Sequence, residues 1–340
     1  MASRSGFRSA AKTAAIRSCS SSTAGRAVIN LTHFYQKEWE KHFTVVNWDQ
    51  RASGKTRFES DAEEVKKTIT MERMIEDACE VAKYIRKRIG QDRIVVLGQS
   101  WGSALGSQLV LKYPELFSAF IGTGQVVDTT KNFQLGYERA LAMSEAAGDE
   151  AMNKNLIKVK QLEREGKISF HDKEFQKVYI SAITKYGIAS FKFRNRVKAM
   201  LLFLRIMLTS PENTVCEVLQ RRFGKKNTVN LFLDFCKSPE FDKWRLDELG
   251  TEFAVPYYQI NGDNDWQTPY PLAREYYDRV EAPKKCWYTL NDAGHAVQFD
   301  NLTDFTRYLI EIRAELFGQD NLIGKLGMHQ EDTRLGLLTN

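Results

Sequence analysis

Apolar residues along the first third of this chain alternate between short β-branched runs and longer stretches with helical spacing. Phe43–Asn47 (FTVVN) and Arg93–Leu97 (RIVVL) have the composition of buried strands. Between them, Thr70–Ile89 carries Met74, Cys79 (or Ala78), Val81 and Ile85 on one helical face, with charge on the other. Ser103–Tyr113 reads as a helix and Phe117–Gly122 as the next strand. Further upstream, Ala27–Leu31 is a brief apolar run with strand character. Thr32–Lys41 is a helix that turns Phe34 and Trp39, with Tyr35 as a further candidate, toward a core. Strands separated by crossover helices predict a mostly parallel sheet flanked by helices, an α/β fold.

The alternation stops near Gln125. From there to about Leu249 the segments Phe133–Ala147, Ala151–Glu165, Asp172–Tyr186, Asn195–Leu208, Val215–Arg222 and Thr228–Cys236 all predict helix. Ala199–Leu208 (AMLLFLRIML) is the most apolar part of this stretch and is expected to build its core, or else to line an apolar cavity. The strand pattern resumes at Ala254–Ile260, followed by a helix over Leu272–Ala282, a strand over Lys285–Leu290 and a closing helix over Thr303–Leu316. The organisation that follows is a basic Ser/Ala/Arg-rich leader at 1–26, expected to be disordered, and the N-terminal part of an α/β core at 27–124. An all-helical cap at 125–250 comes next, before the acid-bearing strand. The rest of the core occupies 251–317, and a polar tail 318–340.

The net charge of +6 at first suggests an anionic partner. Arg4, Arg8, Lys12, Arg17, Arg26 and Lys37 all precede the first acidic residue, Glu38, and account for the whole excess. The remainder is neutral, so no basic face is expected and nucleic acid is excluded as a partner. Cys19, Cys79, Cys216, Cys236 and Cys286 are odd in number and widely spaced, the usage of a reducing compartment. The histidines do not cluster, so neither a metal nor another cofactor is expected. No apolar run is long enough to span a membrane. A cytoplasmic location fits, with a mitochondrial one as the alternative if the acid-free leader is a transit peptide. Gly54-Lys55-Thr56 resembles the end of a phosphate loop, but Asp49 stands where the first glycine is needed, which excludes a nucleotide site.

The chemistry concentrates at Gly98-Gln99-Ser100-Trp101-Gly102, between a strand and a helix. In that setting G-x-S-x-G describes a sharp turn that exposes the serine at a helix N-terminus, which makes Ser100 the candidate nucleophile. A serine hydroxyl needs an imidazole to take its proton and a carboxylate to hold that imidazole in one tautomer. His295 follows the last strand after a short turn and is the candidate base. The acid lies in Gly262-Asp263-Asn264-Asp265. Asp265 is preferred, because Asp263 suits capping of its own turn, and Asp292 stands too near His295 in sequence. The backbone N–H of Trp101 would be one oxyanion donor. The second is unassigned, because no glycine lies between Ala27 and Phe43.

These motifs resemble the proline iminopeptidase branch of the α/β-hydrolases. GQSWGS at 98–103 is similar to that branch's G-G-S-W-G-S elbow, and NWDQRASG at 47–54 to its D-Q-R-G-x-G signature. GDNDWQTP at 262–269 and AGHAVQF at 293–299 are similar to its acid and histidine loops. The resemblance spans roughly residues 32 to 315. It implies an α/β-hydrolase fold and release of an N-terminal residue, typically proline, from small peptides through an acyl-enzyme. It also implies that cap acids hold the substrate's free amine, although the sequence does not single out any of Glu138, Glu145, Glu163 or Glu174. Esters or other amides are the alternative substrates. The chain departs from the family twice. Ala52 replaces the glycine of D-Q-R-G, and an H-G-G-P-G loop with its preceding strands is missing. A gap is therefore expected in the middle of the sheet unless Ala27–Leu31 fills it, and a catalytically impaired homologue acting at most as a binding scaffold is a further alternative.

Overall fold

A computed structural model describes residues 13–18, 33–53, 56, 60–169, 171–188, 200–201, 205 and 231–318. Six strands are named along the chain: β1 (Thr13–Ser18), β2 (Phe43–Trp48), β3 (Ile94–Gln99), β4 (Phe117–Thr123), β5 (Tyr257–Gly262) and β6 (Lys285–Leu290). They form one sheet in the order β2-β1-β3-β4-β5-β6, and every neighbouring pair is parallel. Parallel pairing requires crossovers, and the helices supply them. These are α1 (His33–Trp39), α2 (Ala62–Thr68), α3 (Met71–Ile89), α4 (Trp101–Lys112), α5 (Thr129–Ala146), α6 (Glu150–Arg164) and α7 (Lys173–Lys185). After them come α8 (Leu231–Cys236), α9 (Pro239–Asp242), α10 (Tyr270–Arg279), α11 (Val297–Asp300) and α12 (Leu302–Phe317).

Side chains alternate across each strand, so β3 serves two cores. Ile94 and Val96 pack with Met74 and Ile85 of α3, Leu105 of α4 and Tyr276 of α10. Val95 and Leu97 pack on the other face with Trp39 of α1 and Leu309 and Ile312 of α12. Burial on both faces explains why β3 and β5 are buried at every position, and why RIVVL reads as a continuous apolar run.

The expected gap in the sheet does not exist, and the expected leader is not wholly a leader. Thr13–Ser18 forms β1, paired with β2 on one side and β3 on the other. The sequence conceals this strand because TAAIRS has two β-branched residues among alanines, an arginine and a serine, a composition depleted in strands. Pairing has a strong physical cause here: without β1, both β2 and β3 would present unpaired backbone inside the sheet. Ala27–Leu31 lies outside the described residues.

Smaller shifts also have local causes. β5 begins at Tyr257, not Ala254, because Pro256 has no N–H to give the ladder. Between β4 and β5 the described elements are helical. There α5, α6 and α7 enclose a core of Tyr137, Ala140, Leu156, Phe175, Tyr179 and Ile183. Of the stretch expected to build that core, Met200 and Leu201 are exposed. Apart from Arg205, the remainder of Asn195–Leu208, with Val215–Arg222, lies outside the described residues. Among the described residues, no helix is long and apolar enough to cross a membrane.

Ala52, the residue that replaces a family glycine, sits at φ 62°. A left-handed alanine costs about 1 kcal/mol. Its methyl group is buried against Val65 and Leu231, which offsets part of that cost. Next to it, the Arg51 guanidinium grips both carboxylate oxygens of Asp77 at 2.8 and 2.9 Å, fixing the turn to α3.

Candidate active site

The turn between β3 and α4 forces Ser100 to φ 54°, ψ −123°, a conformation disfavoured for any residue with a Cβ. It persists because its surroundings leave little alternative. Ser100 N–H donates to the Thr123 carbonyl at 3.0 Å, and its own carbonyl accepts from Ser103 N at 2.8 Å and Ser103 Oγ at 2.6 Å. Gly98 must lack a side chain, since a Cβ there would stand 2.4 Å from the Gly102 carbonyl oxygen. The first glycine of G-x-S-x-G is thus explained by the closeness of the strand end to the first helical turn. Trp101 opens α4, where a backbone N–H has no intrahelical acceptor and can face an oxyanion. Its indole donates to Gln50 Oε1 at 3.0 Å and is ringed edge-on by Phe232, Phe235 and Phe241.

His295 lies after β6 and Asp265 after β5, at the same carboxyl edge of the sheet as Ser100. His295 Nδ1 is 2.9 Å from Asp265 Oδ2, and both residues are buried. Asp265 Oδ1 accepts from the backbone N–H groups of Gln267 and Thr268, at 3.0 and 2.9 Å. The other candidate acids do different work. Asp263 Oδ1 accepts from Ala293 N–H and from the Asn264 amide, tying two loops together, and Asp292 sits at φ 54° in the turn after β6. The second ring nitrogen of His295, Nε2, is buried and has no hydrogen-bond partner among the described residues. An unpaired buried nitrogen at 7% residue exposure is costly unless a substrate proton or a nucleophile uses it.

Two features that the sequence does not announce tie the segments carrying Ser100 and His295 to one another, and His295 Nε2 makes no hydrogen bond to Ser100. Gly124, just past β4, has φ 53°, and its N–H donates to Asn261 Oδ1 at 3.1 Å. The His295 ring lies directly over it: a Cβ there would be 2.8 Å from Cε1 and 2.9 Å from Nδ1. Gly124→Ala is therefore expected to displace the imidazole and lower kcat/KM on an ester substrate by about 10²-fold. The second feature is a reciprocal amide pair. Gln99 Nε2 donates to Gln298 Oε1 at 3.0 Å, and Gln298 Nε2 donates back to Gln99 Oε1 at 2.7 Å. It joins the residue before Ser100 to the helix that follows His295.

The helical insertion touches the acid loop. Arg139 of α5 stacks over the Trp266 ring at 5.0 Å. Tyr179 of α7 is buried close to the Trp266 carbonyl, and burial together with the nearby Asp265 carboxylate pushes its hydroxyl pKa well up. None of the four cap glutamates is singled out by its surroundings. Glu138, Glu145 and Glu174 are exposed, and half-buried Glu163 pairs with Lys160 at 2.9 Å. The second oxyanion donor remains unassigned, because residues 19–32, between β1 and α1, lie outside the described residues. Among the described residues, no group of three His, Cys, Asp or Glu side chains is arranged to hold a metal ion.

Comparison with known proteins agrees with this architecture. The family profile for the alpha/beta hydrolase fold matches residues 31–154. The Bacillus subtilis protein named "Probable aminopeptidase YbaC" is 25% identical over 289 residues, covering 84% of each chain. Among solved structures, VinJ superposes with a TM-score of 0.60 at 14% identity, covering 92% of this chain and 93% of its own. A proline iminopeptidase-related protein from Thermus thermophilus gives 0.59 at 17% identity, covering 90% of both chains.

Proposed function

On the α/β-hydrolase fold of this chain, we propose a serine hydrolase in which Ser100 is the nucleophile, His295 the base and Asp265 the acid. The observation that carries this reading is the buried 2.9 Å contact between His295 Nδ1 and Asp265, with Nε2 left unpaired. Ser100 Oγ attacks the substrate carbonyl while His295 Nε2 takes the hydroxyl proton, and the oxyanion forms against the Trp101 N–H. The imidazolium then gives that proton to the departing amine or alcohol, leaving an acyl group on Ser100. A water molecule, deprotonated by the same nitrogen, releases the acid and restores Ser100. Asp265 stabilises the transient imidazolium and keeps the neutral ring protonated on Nδ1.

Within that class the favoured substrate is a short peptide with a free N-terminus, typically prolyl, cleaved after its first residue. Support comes from the S-W-G-S and D-Q-R motifs and from the likeness to an aminopeptidase-named relative along most of both chains. Residues 125–250 would cover the site as a cap, consistent with Arg139 and Tyr179 lying against the acid loop.

Two measurements test the proposal. A fluorophosphonate probe should label the purified chain at Ser100, with labelling lost in Ser100→Ala. Proline β-naphthylamide and a short p-nitrophenyl ester should then both be hydrolysed. Turnover of the ester alone would exclude the aminopeptidase assignment, and absence of labelling would exclude the serine hydrolase.

A further inference from the structure

Three residues beyond Asp265, the side chain of Thr268 reaches both the candidate acid and the candidate base. It is 3% exposed, and its Oγ1 lies 2.8 Å from Asp265 Oδ2 and 3.1 Å from His295 Nδ1. Its backbone N–H donates to the other carboxylate oxygen, Oδ1, at 2.9 Å. We propose that Thr268 is a positioning residue of the active site, whose hydroxyl fixes the His295 tautomer by holding Asp265 and receiving the Nδ1 proton in the same place. The proposal rests on the serine hydrolase reading above.

The argument is one of donors and acceptors. A carboxylate only accepts, so the single Thr268 hydroxyl hydrogen points to Asp265 Oδ2 and a lone pair is left toward His295. Nδ1 then meets two acceptors, the carboxylate at 2.9 Å and the hydroxyl at 3.1 Å, and an N–H there satisfies both. Were the proton on Nε2 instead, the Nδ1 lone pair would face a carboxylate oxygen in a buried site, and the hydroxyl could relieve it only by turning its hydrogen away from Asp265 Oδ2, leaving that oxygen without a donor. The hydroxyl thus adds to the bias that leaves Nε2 free to take a proton. It also completes the set of donors on Asp265: two backbone N–H groups on Oδ1, and the hydroxyl and imidazole on Oδ2. With all four in place the carboxyl plane cannot rotate away from the ring.

Thr268→Val keeps the shape and the backbone N–H but removes the hydroxyl, whereas Thr268→Ser keeps it. The valine variant is expected to lose about tenfold in kcat on the p-nitrophenyl ester, the scale of one buried hydrogen bond, with KM within about twofold of the parent. The serine variant should retain most of the parental kcat. Proton NMR of the purified chain supplies a readout without substrate: a downfield Nδ1–H resonance, absent in His295→Ala, should shift in Thr268→Val and persist in Thr268→Ser. An unchanged kcat and resonance in Thr268→Val overturn the proposal. So does a valine loss that appears mainly in KM, or one that serine fails to rescue. If the parent chain shows the resonance but no fluorophosphonate labelling, the positioning contact stands as geometry. The hydrolase reading, and with it the catalytic role of Thr268, then falls.

Discussion

Ser100→Ala is expected to lower turnover about 10⁶-fold, and Asp265→Asn about 10⁴-fold, on the same activated substrate. The two losses differ because they remove different things. Without the Ser100 hydroxyl no acyl-enzyme can form, and what survives is the contribution of the oxyanion donor and substrate binding. Asp265→Asn leaves the nucleophile in place but offers His295 an amide N–H in place of one carboxylate oxygen. The imidazole then accepts at Nδ1 and carries its proton on Nε2, the wrong nitrogen for taking one from Ser100. The effects should not add: the double variant is expected to be no slower than Ser100→Ala alone, because residues acting as one unit fail together. Burst-phase kinetics with a chromogenic ester would read these losses, and circular dichroism would check that each variant is folded. Retention of more than about a hundredth of the parental rate in Ser100→Ala would place the nucleophile elsewhere.

Removing residues 1–26 is expected to abolish folding. β1 is an interior strand with partners on both sides, so its loss leaves two rows of backbone donors and acceptors unpaired, one on β2 and one on β3. Each buried group left without a partner costs about 1–3 kcal/mol, against a total stability of about 5–15 kcal/mol for a domain. Ile16→Pro is a milder form of the same test. Ile16 pairs with Val46 and Val96, and a proline there deletes one ladder donor and clashes with its neighbour strand. The truncated chain should be insoluble or lack the far-UV signature of the parent, and the proline variant should unfold at distinctly lower urea. A truncated chain with an unchanged urea midpoint would restore the first residues to the status of a removable leader.

What the sequence conveys well here is whatever depends on local pattern. β3 and its following helix are legible because burial on both faces demands an unbroken apolar run, and because close approach at Gly98 demands a glycine. The parallel sheet, the helical segments between β4 and β5, and the preference for Asp265 over Asp263 as the partner of His295 follow from the same kind of signal. β1 is illegible for the opposite reason: it is held by neighbours on either side, not by its own propensity. The Gln99–Gln298 pair and the contact of Gly124 with His295 join residues remote in sequence, and nothing in the local composition of either partner records the other. Thr268 is an intermediate case. Its spacing from Asp265 is visible, but its hydroxyl becomes meaningful only once the imidazole is seen beside it.

The position of β1 has a further consequence for the newborn chain. The pairing of Ala15 with Val95 joins residues far apart in sequence, so β1 leaves the ribosome well before β3 and waits for that side of its ladder. A strand that waits in solution is an aggregation hazard when it is apolar and uncharged. TAAIRS carries Arg17 within it, and Arg8, Lys12 and Arg26 flank it, so the segment repels its own copies during that interval. The composition that hides this strand from a pattern search is the one that keeps it soluble until its place in the sheet exists.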